Sequence, residues 1–183
     1  IPALTIAAIH GHCVGGGIVL AAACDIRIAA EGTRFAIPEV DFGIPLAWGG
    51  LPRLVRELGP AVTKELVLSC RPFPAAEAHA LRFLNRVVPD GELDQEVEAM
   101  AADLAAKPGF LIRHTKQVVD AAMEDAYSTR QSFRDADVTL LAQGDEEARA
   151  AMLRYLEHRG RTSPPAQVES SVAFPASRDS TSA

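Results

Sequence analysis

The chain has 183 residues, 48% of them hydrophobic and 23% charged, with a net charge of −6 and a mean hydropathy of +0.07. That is enough chain for one domain with a real core, and an acidic balance without a basic patch excludes a nucleic-acid binder. No apolar stretch is long enough to span a membrane. Residues 1–25 are apolar with no basic leader and do not read as a signal peptide. Three cysteines without metal-type spacing point to a reducing compartment, so a cytoplasmic enzyme subunit is the expectation.

Leu4 to Ile9 is an apolar run of the kind a doubly covered strand carries. A sharp turn at Gly15-Gly16-Gly17 follows. Ile18 to Cys24 is small and apolar throughout and predicts a helix buried on all sides. The N-terminus of such a helix presents unpaired N–H groups, and glycines there let a polarised oxygen reach the backbone. Taken alone, the triplet fits equally a tight turn before a core helix. No Lys or Ser/Thr follows it as a phosphate-binding P-loop requires, and Gly-x-Gly-x-x-Gly is not matched from Gly11 onward. The loop is shaped for a small oxygen.

Asp25 to Ala30 predicts a second strand, with Ile26 and Ile28 on one side and Arg27 on the other. Thr33 to Ile37 predicts a third, ended by Pro38. The Gly- and Pro-rich loop from Pro38 to Gly50 is suited to positioning side chains. Helices follow over Gly50–Leu58, stopped by Gly59-Pro60, over Pro60–Ser69 and over Pro74–Leu81, with Val87-Val88-Pro89 extended. This alternation predicts an α/β region over residues 1–90 with a mostly parallel sheet. Beyond it, residues 91–161 carry only helical periods: Glu92–Ala106, Pro108–Met123, Ala126–Ala142, and Asp145–His158 with Asp145 as N-cap. Residues 162–183 are rich in Ser and Pro and read as a disordered tail.

The series His10-Gly11, Gly15-Gly16-Gly17, Ala23-Cys24-Asp25-Ile26-Arg27, Phe35, Pro38-Glu39-Val40, Gly43-Ile44 and Gly49-Gly50-Leu51-Pro52-Arg53-Leu54 strongly resembles the crotonase superfamily, the enoyl-CoA hydratase/isomerase family. The resemblance continues more weakly to Arg161 and does not include the family's first third. It implies a ClpP/crotonase-type fold, a partial β-β-α spiral core followed by a C-terminal helical oligomerisation region. It also implies an acyl-CoA substrate, no separate cofactor because coenzyme A is part of the substrate, and a homotrimer or hexamer built through the C-terminal helices.

In that family two backbone N–H groups hold the enolate oxygen of the thioester. By resemblance Gly16 supplies one, flanked by Gly15 and Gly17; the other belongs to the first third, with much of the adenine-binding surface. Such pre-aimed donors are each worth roughly 10²–10³ in rate. The family's hydratases use two glutamates. At the first position this chain has Val19, which moves no proton; at the second it has Glu39, set among Phe35, Ile37, Val40 and Phe42, where burial would raise a carboxyl pKa and make a better base. A plain surface loop Glu is the competing account. One carboxylate can carry a proton from C2 to C4, and the family's 3-enoyl-CoA to 2-enoyl-CoA isomerases keep only the Glu39 position. The expected reaction is therefore double-bond isomerisation, with hydration, a non-catalytic acyl-CoA-binding or assembly subunit, or a truncated remnant as alternatives. Ala47 stands where dienoyl-CoA isomerases carry an acid, and Asp41 reads as a turn or cap residue.

Trp48 is expected to wall the acyl pocket, against a core role. Tyr155 and Arg159 fall in the stretch resembling the family's last helix, where Arg159 would contact CoA phosphate; a helix end favouring cations is the simpler account. Cys13, Cys24 and Cys70 read as small core residues, His10 and His12 as structural, and no metal site is expected. Arg82 takes the place of a family glycine, at a cost of roughly 1 kcal/mol if that backbone is left-handed. Without the family's first third, bare sheet edges would make the isolated chain poorly soluble.

Overall fold

Two three-stranded sheets organise the first half of the chain. The structure, a computed structural model, describes residues 1–162, without the side chains of Gln131 and of residues 159–162. The segment expected to be a tail therefore lies outside the described residues from 163 onward.

The first sheet has the order β1 (Ile6–Ile9), β3 (Ile26–Ala30), β6 (Arg86–Val88), parallel throughout, with Ala8 opposite Ile28 and Ala29 opposite Val87. The second has the order β2 (His12–Val14), β4 (Arg34–Ala36), β5 (Phe73–Pro74), parallel between β2 and β4 and antiparallel between β4 and β5. The strands of this half are joined by α1 (Gly16–Ala22), α2 (Gly50–Leu58), α3 (Pro60–Ser69) and α4 (Ala75–Ala80). Phe35 is the centre of the core: it stacks on Phe73 at 5.5 Å and meets Phe83 edge-on at 6.1 Å, with Ile18, Ile37, Leu54 and Leu66 fully buried around it.

Arg27 is buried, only 5% exposed. Such a charge must be paired, and its guanidinium donates to Phe83 O at 2.6 Å, Cys24 O at 2.8 Å and Glu57 Oε2 at 2.5 Å while lying 5.2 Å from the Phe83 ring centroid. One side chain thus ties β3 to α2 and to the α4–β6 connection.

After β6 the described chain is helical: α5 (Leu93–Ala105), α6 (Gly109–Ala126), a 3-10 turn over Arg130–Arg134, α7 (Asp135–Gly144) and α8 (Glu146–Thr162). Asp145 Oδ1 accepts the Ala148 amide at 2.8 Å, the cap expected for α8. Arg82 has φ +66°, the left-handed backbone expected if it replaces a glycine.

Three expectations are corrected. The first strand is followed by a second, β2, after a turn at Gly11 with φ +62°. Helix α1 is not buried on all sides, since Leu20 is 70% exposed while Ile18, Val19, Ala21 and Ala22 face the core. The helix expected over 126–142 forms only from Asp135, after a 3-10 turn at Arg130–Arg134 and a non-helical stretch at Tyr127–Thr129. There Ser128 Oγ, the Thr129 amide and Thr129 Oγ1 all donate to the Glu124 carboxylate, replacing the bonds that would have continued the ladder.

Candidate active site

The site begins where β2 turns into α1. Gly15 has φ 54° and ψ −116°, a backbone closed to any residue with a Cβ. Its amide donates to Ala36 O on β4 at 2.9 Å, so it is spent on holding the two strands' ends together. Ile18 and Val19 both donate to Gly15 O, at 2.9 and 3.3 Å. The amides of Gly16 and Gly17 donate to no group among the described residues. They are the orphan donors of a helix start, the kind of group that can meet a developing negative oxygen.

From β4 the chain runs through fully buried Ile37 into a coiled loop. Phe42 N donates to Pro38 O, Gly43 N to Val40 O and Ile44 N to Glu39 O, each at 3.0 Å. This winding brings the half-buried Glu39 back over the turn. A Cβ placed on Gly15 would lie 3.2 Å from Glu39 Cδ and closer still to Oε1. Only glycine lets the carboxylate sit directly on the backbone that precedes the free amides. Glu39 Oε2 is buried with no hydrogen-bond partner. Burial pushes the Glu39 pKa above its ordinary value, and the residue's own amide offsets only part of this. The group is therefore poised as an acceptor of a proton. Asp41, exposed on the coiled loop, is not aligned with Glu39 along an extended strand.

The far end of the loop supplies the roof. Trp48 has φ 58°, a left-handed backbone that costs a bulky residue about 1–2 kcal/mol. Its Cζ3 would lie 2.6 Å from a Cβ on Gly16. The edge of the indole's six-membered ring thus abuts Gly16 while the residue remains 75% exposed, so it is not a core residue. Gly49 follows with φ 67°, its amide donating to Asp135 Oδ2 at 2.8 Å and its α-carbon packed under Ser132 Oγ. Val19 is 4% exposed and packs with Leu46 against Gly50, where an added Cβ would meet Val19 Cγ2 at 2.8 Å. It forms the apolar floor beneath this turn.

Gly15, Gly16, Glu39 and Trp48 are therefore brought together. Gly17 is exposed beside them, its α-carbon over Cys13 Sγ. The Tyr155 ring meets Phe42 edge-on at 5.1 Å, bracing the loop from α8. The Arg159 side chain lies outside the described residues. Sequence reasoning missed Asp135 and Ser132, while Cys70 is the buried core residue expected. Cys70 closes α3 with φ 52°, and its thiol is pushed up by burial while the Asp41 and Val40 amides beside it partly offset the rise. Cys13 is likewise pushed up by burial, to about 11, whereas Cys24 is only partly buried.

A cleft of about 1440 Å³ lies elsewhere, between α1, β3 and α2 on one side and α6 on the other, and its lining includes none of Gly15, Gly16, Glu39 or Trp48. Its charged groups are largely paired, among them Asp25 with Lys116 at 2.6 Å and Arg56 with Glu124 at 3.3 Å. Among the described residues there is no cluster of three His, Cys, Asp or Glu able to hold a metal. No described helix is long and apolar enough to cross a membrane.

A family model described as enoyl-CoA hydratase/isomerase matches residues 1–162. The crotonyl-CoA hydratase of Syntrophomonas wolfei is 34% identical over 154 residues, covering 84% of this chain and 59% of the relative. The short-chain-enoyl-CoA hydratase of Clostridium acetobutylicum is 31% identical over 154 residues, with 84% and 59% covered. The crystal structure of carnitinyl-CoA hydratase from Mycobacterium avium superposes with a TM-score of 0.76 at 31% identity, covering 86% of this chain and 61% of that one. The chain spans about 60% of the length of the curated relatives it matches.

Proposed function

We propose, for a chain that belongs to the enoyl-CoA hydratase/isomerase family and has the crotonase fold, that it is an enzyme acting on an enoyl-CoA thioester with Glu39 as its one proton carrier. The observation that carries this reading is the juxtaposition at Gly15 and Gly16. A half-buried carboxylate, one oxygen unpartnered, sits on Gly15 beside the unengaged amide of Gly16. The thioester oxygen accepts the Gly16 N–H. Glu39 takes a proton from C2 of a 3-enoyl-CoA, and the electron pair moves onto that oxygen as a dienolate. The same carboxyl then returns the proton at C4 while the charge collapses to a 2-enoyl-CoA. Atoms balance, and nothing is oxidised or reduced.

Val19 supports isomerisation over hydration, since the second carboxylate of a two-glutamate mechanism is replaced by a buried aliphatic side chain. The relatives' names favour a second reading, hydration of a 2-enoyl-CoA. In that reading Glu39 takes a proton from the water whose oxygen adds to C3 and delivers a proton to C2. Mass spectrometry of products from a 3-enoyl-CoA and a 2-enoyl-CoA separates the two. Unchanged mass with a moved double bond supports isomerisation, and a gain of one water supports hydration. Glu39→Gln should lower either rate by at least about 10²-fold, and a variant that keeps full activity would overturn the assignment. We further propose a homotrimer or hexamer, supported by exposed Leu140 and Leu141 on α7 and Leu153 and Leu156 on α8. Light scattering of the purified chain reads the assembly directly.

A further inference from the structure

We propose that the Trp48 indole, latched in its turn by Asp135, is the wall against which the acyl group lies, and that it restricts the site to short, planar enoyl groups. This rests on the reading of Glu39 and Gly16 given above.

Three observations meet at this residue. Trp48 is the chain's one tryptophan, and it is held in a left-handed conformation that costs a bulky side chain dearly. The ring gains little from burial in return, being 75% exposed. A glycine or small residue would fold here with less strain, so the strain serves to keep a large apolar ring in one place. That place is defined: the ring covers Gly16, whose amide is unengaged, while Glu39 covers the neighbouring Gly15. An acyl group with its carbonyl oxygen at the Gly16 amide and its C2 at Glu39 must run between the carboxylate and the indole. A short conjugated thioester fits there, and a long flexible tail collides with the ring.

The turn does not hold itself. The Gly49 amide is bonded to Asp135 Oδ2, and Ser132 Oγ packs on the Gly49 α-carbon. Asp135 is thus a positioning residue that acts through Gly49 on Trp48.

Because the tryptophan is single, its emission reports the wall directly. The full chain is titrated with a four-carbon 2-enoyl-CoA, a ten-carbon 2-enoyl-CoA and coenzyme A itself, with calorimetry to establish binding. The four-carbon ligand should quench Trp48 emission, and coenzyme A should not. The ratio of kcat/KM for the four-carbon over the ten-carbon substrate should fall about 10-fold in Trp48→Gly, which suits the left-handed backbone, and be restored in Trp48→Phe. Asp135→Ala should move the ratio in the same direction with the indole still present. Binding of the four-carbon ligand without a change in emission, or an unchanged ratio in Trp48→Gly, overturns the proposal. If calorimetry shows no binding of any acyl-CoA, the reading of the site itself fails, and the proposal with it.

Discussion

Gly15→Ala tests the geometry at its tightest point. Ordinary van der Waals contact begins near 3.4 Å, whereas the new methyl would stand 3.2 Å from Glu39 Cδ and well inside contact with Oε1. The carboxylate would have to retreat by about 1 Å, and a displacement of that size costs on the order of 10²-fold in rate. Separately, Gly15 has φ 54° and ψ −116°, and an L-residue there costs about 1–3 kcal/mol of stability. The assay pairs steady-state kcat with urea unfolding at the same pH. Activity should fall far more than the folded fraction does. The double variant Gly15→Ala with Glu39→Asp, one methylene shorter, should recover part of kcat without recovering stability. An unchanged kcat in a folded Gly15→Ala would refute the placement of the carboxylate on this turn.

Three further outcomes follow from the same contacts. Burial raises the Glu39 pKa, so the folded state holds its proton at pH values where the unfolded chain, titrating near 4.5, has lost it. Stability is therefore lost as pH rises from 4.5 through the raised value; Glu39→Gln should abolish that decline in thermal melts across the acid-to-neutral range, and parallel pH profiles would contradict it. Arg27→Met leaves Glu57 and the carbonyls of Phe83 and Cys24 without their buried donor, and should cost about 3–5 kcal/mol in urea unfolding. Arg82→Gly removes a side chain from an exposed left-handed position and should stabilise by about 1 kcal/mol; a loss of stability would show that Arg82 makes a contact of its own.

What was legible in the sequence was what is local in it. The glycine triplet, the Pro38-Glu39 pair and the lone Trp48 each announce themselves by residue type, and the resemblance to a family put them in one site. The alternation of strands and helices over residues 1–90 is equally local. What stayed hidden depends on long-range contacts. Gly49 and Asp135 are 86 residues apart and meet by one hydrogen bond that no periodicity encodes. The break after α6 hinges on one carboxylate, Glu124, outbidding the helix for the Ser128 and Thr129 donors. Strand β2 is only three residues long and lies between glycines, too short to establish an alternation. The α1 helix was misread because small apolar residues look alike whether they face a core or, as Leu20 does, solvent.

These hidden contacts decide how precisely the site is held. The loop from Glu39 to Gly49 has no ladder of its own beyond the turns that follow Pro38 and Ala47. One edge rests on α1 through Gly15 and Gly16, and its floor is Val19 and Leu46. The other edge is set by the C-terminal helices. Ala148 of α8 comes so close to Gly43 that an added Cβ would meet its carbonyl carbon at 2.9 Å; Tyr155 braces Phe42; Asp135 and Ser132 fix Gly49. Gly43 and Gly49, both with positive φ, are the points where helix meets loop without room for a side chain. A catalytic carboxylate on a loop is only as well placed as the rigid elements around it. In this chain those elements come from both halves, so the helical region sets where Glu39 and Trp48 stand and, on the proposed reading, acts on the chemistry through them.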